Sequence, residues 1–330
     1  MSSPVLITGG SGFVGGAILT RLLAAGREVR ALTRSDASAA ALAHAGAEPV
    51  RGDLGDPASL ERAKRGCDVV YHVAGLNSFC LPDPSALTLA NVEGTRAVVL
   101  AAGAVGVGRI VYTSSAATIG EARGALATER SPHRGTFLSH YERSKFDAER
   151  VAFATAAAAG VELVSVNPSS VQGPGRTRGT AKILIDALNG RLKLIVDSRM
   201  SIVDVGDCAD GHLLAEERGV AGERYLLSGV TLTVAEAIAL LGRISGRDER
   251  PRRLPPPIAM AMATGVEALA RVRGRRPSVC REMVRTVLHG HAYDGSRATR
   301  ELGLAYTPLE ESLRRTVDWY VSEGIVRAPR

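Results

Sequence analysis

The chain of 330 residues has few aromatic residues and few cysteines, and both shortages limit what it can do. Aromatic residues make up 4% of the sequence and no nucleic-acid-binding module is present, so the net charge of +7 does not predict a nucleic-acid partner. The cysteines are scattered and form no C-x-x-C pair, which argues against a metal site and against a disulfide framework. We therefore expect small buried thiols in a reducing compartment, the cytoplasm. These cysteines are Cys67, Cys80, Cys208 and Cys280.

Long hydrophobic runs and a signal peptide are also missing. No apolar run is long enough to span a bilayer, and Met1 to Pro4 lead directly into the first predicted strand without a basic segment. We therefore expect a cytoplasmic protein with no transmembrane segment. Positive charge concentrates between Arg243 and Arg276, and we interpret this stretch as a solvated arginine-rich face. An anionic ligand and a membrane surface are the alternatives.

Glycine, by contrast, is abundant where the chain begins. Residues 5–7 form an apolar run typical of a buried strand, and residues 13–25 have helical periodicity. The glycines between them allow a tight turn that a pyrophosphate can approach closely, and the free N–H groups of the helix favour its negative charge. The sequence therefore predicts a dinucleotide-binding turn. The residues expected to line it are Gly9, Gly12, Phe13, Val14 and Gly15.

The end of the second predicted strand indicates which dinucleotide binds. In NAD-binding folds an acid at this point accepts hydrogen bonds from the ribose hydroxyls, but here Arg34 follows residues 28–33. A guanidinium can hold a 2′-phosphate in two charge-assisted hydrogen bonds, so we favour NADP(H) over NAD(H). Asp36 lies close enough in sequence to weaken this preference.

Later strand ends add further candidate contacts to the cofactor. Asp53 is placed to accept from the adenine amino group while Leu54 packs on the ring, and Asp56 before a proline is the better helix cap. The fourth predicted strand, residues 69–72, is followed by Val73, Ala74 and Gly75, which are small enough at Ala74 and Gly75 for the cofactor to pass over them. His72, within that strand, is interpreted as a core histidine. The irregular loop of residues 76–84 is a candidate substrate contact.

Tyr141 and Lys145 are spaced four residues apart at the start of a long predicted helix, so they share one of its faces. A free phenol has a pKa of about 10, and a nearby ammonium together with an oxidised nicotinamide would lower it. Tyr141 could then donate a proton to a carbonyl oxygen or remove one from an alcohol. Ser115, at the end of the fifth predicted strand, would hold the same oxygen by a hydrogen bond.

Taken as an ordered set, these motifs resemble the extended short-chain dehydrogenase/reductase family of the NAD-dependent epimerase/dehydratase type. The matching segments are residues 8–15, 53–54, 72–75, 91–95, 112–117, 141–145, 167–168 and 301–303. The resemblance is strongest to dihydroflavonol-4-reductase-like and 3β-hydroxysteroid-dehydrogenase-like members. It implies a Rossmann-like, doubly wound parallel sheet with a smaller carboxyl-terminal α+β lobe. It also adds Asn167 and Pro168 to the cofactor contacts.

By this resemblance the protein transfers a hydride between NADP(H) and a carbonyl or alcohol carbon of a small organic substrate. Tyr141 is then the acid/base, Lys145 anchors the nicotinamide ribose, and Ser115 orients the substrate oxygen. A nucleotide-sugar epimerase is the alternative, in which basic residues would grip a diphosphate; a non-catalytic NAD(P)-binding regulator is a third. The basic residues named for the epimerase are Arg176, Arg178 and Arg199.

The expected domain boundaries follow from the order of these segments. Residues 1–175, with 198–220 returning to them, are assigned to the nucleotide-binding domain, and residues 176–197 and 221–330 to the substrate lobe. Apolar residues at helical spacing in 258–272 are interpreted as the core-facing side of a helix, and a helix on a membrane is the alternative. The family also suggests a homodimer through helices around Val92 and Val151.

Overall fold

The computed structural model describes residues 3–247 and 250–327. In chain order the strands are β1 (Val5–Thr8), β2 (Val29–Thr33), β3 (Glu48–Arg51), β4 (Val69–His72), β5 (Arg109–Thr113), β6 (Glu162–Pro168), β7 (Ser170–Gln172), β8 (Leu194–Ile195), β9 (Arg199–Asp204), β10 (Arg224–Leu227), β11 (Val230–Thr233) and β12 (Arg252–Arg253). The helices are α1 (Phe13–Ala24), α2 (Asp36–His44), α3 (Pro57–Lys64), α4 (Ser85–Leu87), α5 (Gly94–Ala104), α6 (His140–Ala159), α7 (Ala181–Leu188), α8 (Val205–Arg218), α9 (Val234–Ser245), α10 (Pro256–Val272), α11 (Arg281–His289) and α12 (Leu309–Ser322).

A seven-stranded parallel sheet forms the centre of the molecule, in the order β10-β6-β5-β4-β1-β2-β3. The strand order reverses at β1, which pairs with β2 on one side and β4 on the other. Ligands of open α/β sheets bind at such a reversal, beyond the carboxyl ends of the strands. The predicted Rossmann-like fold is confirmed, and it brings the glycine turn, residues 73–75 and residues 114–115 to one edge.

Each face of this sheet is covered by its own hydrophobic cluster. Ile7 and Tyr71 point to the side of α1 and α8, whereas Leu6 and Val70 point to the side of α3, α5 and α6. This alternation of neighbouring residues is the two-residue period of a strand that is buried on both faces. The central strands are therefore largely apolar, and β1 is buried at every position.

A smaller lobe lies beside the sheet. Its three-stranded sheet has the order β11-β9-β7, and β12 pairs with β8 in a separate ladder. Helices α7, α9 and α12 share a core around Leu188, Leu241 and Tyr320. This lobe contains both strands and helices, as the predicted α+β lobe does.

The predicted domain boundaries need two corrections. Strand β10 is parallel to β6 at the edge of the large sheet, although residues 221–330 were assigned to the substrate lobe. Conversely, β7 and β9 pair in the small sheet, although both were assigned to the nucleotide-binding domain. Within residues 198–220, helix α8 packs on that domain, against α1. Short strands of a few apolar residues do not reveal from sequence which sheet they join.

The prediction of free thiols is wrong for two of the four cysteines. Cys80 and Cys280 form a disulfide, with their Cα atoms 5.6 Å apart and 200 residues between them in sequence. Cys67 and Cys208 are free and buried, as expected. The disulfide removes part of the basis for a cytoplasmic location, which stays a prediction.

The expectation that the regularly spaced apolar residues of 258–272 face the core is also wrong. Ile258, Met262 and Leu269 are 49%, 50% and 50% exposed, whereas Ala259 and Ala263 are buried. The small alanine face allows α10 to pack closely on α11, and the larger apolar side chains are left outside.

Among residues 3–247 and 250–327, no helix combines the length and the apolar composition needed to cross a membrane. Val92 is buried within the protomer and packs beside the partly buried Val151. A homodimer through these helices remains an expectation.

The turn before α1 yields a stability prediction. A Cβ on Gly15 would lie 2.1 Å from the carbonyl oxygen of Gly9, whereas a Cβ on Gly16 would lie 3.6 Å from that of Gly10. Gly15→Ala should therefore lower the free energy of unfolding by about 1–3 kcal/mol through overpacking, and Gly16→Ala should not. Urea unfolding of both variants measures this; equal destabilisation would contradict the proposed packing.

Candidate active site

The glycine turn is compact because its backbone packs directly against the backbone of residues 73–74 after β4. Gly9 has a φ of +74°, and a Cβ on it would lie 2.7 Å from the backbone nitrogen of Ala74. Ala74 in turn donates its N–H to Thr8 Oγ1 at 3.2 Å. Residues 9 and 15 must therefore be glycine for α1 to approach the ends of β1 and β4.

The first turn of α1 offers free backbone donors. Gly12 precedes the helix with no side-chain cap, and the first turn contains no acidic residue. A site with this composition favours an anion, since the N–H groups and the helix dipole are unopposed by carboxylates. Together with the glycine packing, which a single Cβ would fill, this arrangement fits the pyrophosphate of a dinucleotide. Phe13 and Val14 are half-buried beside it.

Arg34 lies just past β2, and its side chain is 81% exposed. Its Nη1 is 3.6 Å from Asp53 Oδ2. Asp56 caps α3 by accepting from the Ser59 N–H, as predicted, but Asp53 is not left free: it accepts from the Gly55 N–H at 2.8 Å and faces Arg34. Leu54 packs against the α5 side of the sheet.

Residues 73–75 connect the glycine turn to the predicted catalytic residues. Val73 donates its N–H to the Thr8 carbonyl, which continues the ladder between β4 and β1. A Cβ on Gly75 would lie 3.2 Å from Asn91 Oδ1 and 4.0 Å from Lys145 Nζ. The path expected for the cofactor therefore runs past a glycine directly beside Lys145.

Lys145 joins α6 to the end of β5. Its Nζ donates to the Thr113 carbonyl oxygen at 2.9 Å and to the Tyr112 hydroxyl at 3.2 Å, and it lies 4.9 Å from the centre of the Tyr112 ring. Burial lowers the pKa of Lys145 to about 8, while Glu149 opposes the shift. The ammonium is thus held at a fixed point of the sheet edge.

Tyr141 lies one helical turn before Lys145 on α6, and the predicted lowering of its pKa by Lys145 together with a bound nicotinamide stays a prediction. Burial raises the pKa of Tyr141 above its ordinary value, and hydrogen bonding by Ser115 and the charge of Arg176 oppose that rise. Ser115 thus lies near enough to Tyr141 to affect its pKa, as Arg176 does, and the catalytic roles of Ser115 and Tyr141 stay predictions.

Asn167 has a structural role, and its predicted contact with the cofactor stays a prediction. Its side chain is fully buried, and Nδ2 donates to the Ser115 carbonyl at 3.2 Å, Thr118 Oγ1 at 2.9 Å and Glu149 Oε2 at 2.5 Å. These bonds hold the turn that presents Ser115. Pro168 follows at the buried end of β6 and has no N–H to donate.

Glu149 is a residue that the sequence analysis missed. Its carboxylate accepts from Asn167, Ser165 and Thr118 through Oε2 and from Arg224 through Oε1, and it is 5% exposed. Its position four residues after Lys145 was the available signal, because helical spacing places it on the same buried face. A buried carboxylate at this position needs hydrogen-bond donors around it, so a polar network was to be expected.

The loop of residues 76–84 lies over Tyr141, as expected of a substrate contact. The rings of Phe79 and Tyr141 are 5.7 Å apart. Glu282 bridges this loop to α6 by accepting from the Cys80 N–H at 2.6 Å and from the His140 N–H at 3.0 Å. With the disulfide, these bonds attach the loop to the start of α11, an attachment that sequence spacing gave no means to predict.

The three arginines named for a diphosphate do not converge. Arg176 stacks on the Phe13 ring at 5.8 Å and acts on Tyr141, whereas Arg199 donates to the Gly124 carbonyl at 2.6 Å. Arg178 is exposed. Only Arg176 therefore takes part in the candidate site.

His72 is a core residue, as predicted. Its ring nitrogens lie 2.8 Å from Thr8 Oγ1 and 3.0 Å from Thr95 Oγ1. Burial, with smaller contributions from Lys145 and Lys64, lowers the pKa of His72 to about 3. It is a neutral structural link between β1 and α5.

Comparison with known proteins agrees with this geometry. The family model described as NAD dependent epimerase/dehydratase family matches residues 5–228. A Synechocystis sp. protein named putative dihydroflavonol 4-reductase is 34% identical over 99% of this chain and 97% of its own length. Cinnamoyl-CoA reductase 1 of Oryza sativa subsp. japonica is 32% identical, covering 95% of this chain and 89% of its own.

Among solved structures, that of gox2253 matches with a TM-score of 0.87 and 32% identity, covering 99% of this chain and all of that one (100%). The glycine turn, the Ser115–Tyr141–Lys145 arrangement and these matches lead to one assignment. The chain belongs to the NAD dependent epimerase/dehydratase family, the extended short-chain dehydrogenases/reductases, and is an oxidoreductase similar to its dihydroflavonol-reductase-like and 3β-hydroxysteroid-dehydrogenase-like members.

Proposed function

We propose that this protein is an NADP(H)-dependent carbonyl reductase in which Tyr141 supplies the proton. The observation that carries the proposal is the position of Lys145, one turn after Tyr141: its Nζ donates to the Thr113 carbonyl at 2.9 Å, two residues before Ser115, and lies beside Gly75 at the sheet edge where the glycine turn also lies. The cofactor, when bound, supplies the hydride. Every other requirement of the reaction is assigned to this chain's own side chains.

The neutral phenol suits reduction. A carbonyl oxygen that gains negative charge needs a proton donor within hydrogen-bond reach, and burial keeps the Tyr141 hydroxyl protonated at neutral pH. Ser115 donates to the same oxygen and fixes its direction. Arg176 limits the rise of the phenol pKa, so Tyr141 can lose its proton during turnover without a prohibitive cost.

Lys145 and Asn167 act mainly by position in this proposal. Lys145 fixes α6 on β5 and presents its ammonium beside Gly75, where the nicotinamide ribose would pass. Asn167 holds the turn of Ser115. The substrate would approach from the side of Phe79, whose ring lies 5.7 Å from that of Tyr141 and favours an apolar or planar carbonyl compound.

The preference for NADP(H) rests on Arg34. Its guanidinium is 81% exposed at the end of β2, with Asp53 Oδ2 3.6 Å away. A 2′-phosphate would compete with that exposed ion pair, which is weak in water, and would gain two charge-assisted hydrogen bonds. An NAD(H) ribose would gain nothing comparable from Arg34.

The catalytic assignment is tested by Tyr141→Phe. Removal of the proton donor should lower kcat by about 10²–10⁴-fold while NADPH still binds, because the ring and its packing remain. The measurement is NADPH oxidation with a panel that includes a dihydroflavonol, a 3-oxoalkanoate and a cinnamoyl thioester. Tyr225→Phe, which removes a phenolic hydroxyl that accepts from the Val220 N–H, is the matched control. Undiminished kcat in Tyr141→Phe would refute the assignment.

The cofactor preference is tested by Arg34→Ala. We expect the Kd for NADPH to rise at least about tenfold, since a bidentate charge-assisted contact is lost, while the Kd for NADH stays unchanged. Fluorescence titration with both cofactors measures this. Arg62→Ala on α3 removes an equal charge elsewhere and should change neither value. Equal weakening of both cofactors, or wild-type protein that binds NADH as tightly as NADPH, would argue against the role of Arg34.

A further inference from the structure

Helix α10 attaches to the protein through a narrow face and leaves a second face outside. Ala259 and Ala263 are 3% and 1% exposed and pack with Val284 of α11. The exposed apolar face consists of four residues within an arc of about 80° at the helical repeat. They are Ile258, Met262, Leu269 and Val272, which are 49%, 50%, 50% and 86% exposed.

This face is long, and little charge interrupts it. Glu267 is the one acidic residue of α10, and it is engaged by Arg281, whose Nε lies 2.6 Å from Glu267 Oε2. Exposed leucine, isoleucine and methionine side chains aligned along a helix indicate a surface that something covers. Interfacial helices have this composition when basic residues accompany them.

Arginines lie at both ends of the face. Arg252 and Arg253 precede the helix, and Arg273 and Arg275 follow it; all four are exposed. Within the described part of the chain, Arg252, Arg273 and Arg275 form no ion pair, and Arg253 pairs with Asp197 at 3.2 Å. The charge is therefore available to an anionic partner.

The placement of these charges distinguishes a membrane from a second copy of the chain. In a two-fold dimer, a parallel helix pair would set Arg273 and Arg275 against themselves, and an antiparallel pair would set them against Arg252 and Arg253. Both arrangements bring like charges together beside the apolar contact. Anionic headgroups, by contrast, meet both ends at once, while arginine stems lie along the apolar boundary.

We propose that α10 lies in the surface of an anionic bilayer, with Ile258, Met262, Leu269 and Val272 among the acyl chains and the flanking arginines among the headgroups. This contact would be peripheral and reversible, because the helix rests in the interface and does not span it. It also places the candidate active site near the lipid. Arg276, just beyond α10, donates to Ser78 Oγ and to the Phe79 carbonyl at 2.5 Å each, which links the docking helix to the loop over Tyr141.

Vesicle co-sedimentation of the full chain, with any purification tag removed, tests the proposal. We expect binding to vesicles of phosphatidylcholine with phosphatidylglycerol and weak binding to phosphatidylcholine alone. Met262→Glu and Leu269→Glu should abolish binding, and Arg273→Glu with Arg275→Glu should weaken it at least about tenfold. Leu100→Glu is the matched control, because Leu100 is an equally exposed apolar residue (53%) that lies on α5, away from α10. This variant should bind the vesicles as the wild type does.

A fluorescent label reports which face enters the lipid. Cys67 and Cys208 are buried and the other two cysteines form the disulfide, so Met262→Cys introduces an exposed thiol that can be labelled selectively. Its environment-sensitive probe should shift to shorter wavelength with phosphatidylglycerol vesicles, and a probe on Leu100→Cys should not.

Two results would overturn the proposal. If the same fraction of wild-type protein sediments with phosphatidylcholine vesicles whether or not they contain phosphatidylglycerol, no anionic surface is recognised. Self-association in analytical ultracentrifugation that Met262→Glu removes, without vesicle binding by the wild type, would show that a second copy covers α10.

Discussion

The ammonium of Lys145 connects helix α6 to the end of β5, and the arrangement of the candidate active site depends on this contact. By donating to the Thr113 carbonyl, Lys145 fixes the rotation and height of α6 relative to the sheet. One turn earlier on the same face, Tyr141 then meets Ser115. One turn later, Glu149 meets Asn167, which holds the turn that contains Ser115. A single helix face thereby positions Tyr141 and, through Asn167, the turn that contains Ser115.

The electrostatics of Tyr141 follow from this placement. The Tyr141 side chain is half-buried, and desolvation of its phenol disfavours the charged form; the two groups that oppose this effect come from different parts of the chain. Ser115 lies on the sheet side, and Arg176 lies in the segment that leaves the sheet after β7 and contacts Phe13 at the start of α1. The cation near the phenol thus also lies near the first turn of α1, where the phosphates of the cofactor are expected. In the proposed function, Arg176 therefore lies between the cofactor phosphates and Tyr141.

Much of this could be predicted from the sequence because it depends on local patterns. The glycine turn, the strand ends and the four-residue spacing of Tyr141 and Lys145 each fix geometry within a few residues, and six strands of the large sheet follow from alternating strands and helices; the seventh, β10, was assigned to the other lobe. What depends on distant contacts could not be predicted. Cys80 and Cys280 are 200 residues apart, and Arg176 reaches Tyr141 only through the folded chain. The spacing of the apolar residues in α10 predicted a helix, but two alanines decided which face is buried.

The most direct test of the central claim is the titration of the Tyr141 phenol itself. With tyrosine labelled with ¹³C at Cζ, NMR follows the ionisation of each phenol, and the Tyr141→Phe variant assigns the signal. Without cofactor, we expect the pKa of Tyr141 to lie above its ordinary value of about 10, because burial disfavours the phenolate. Saturating NADP⁺ should lower the pKa, since a positive nicotinamide ring then favours the charged form. A phenol that already ionises near neutral pH without cofactor, or whose pKa does not respond to NADP⁺, would contradict the account.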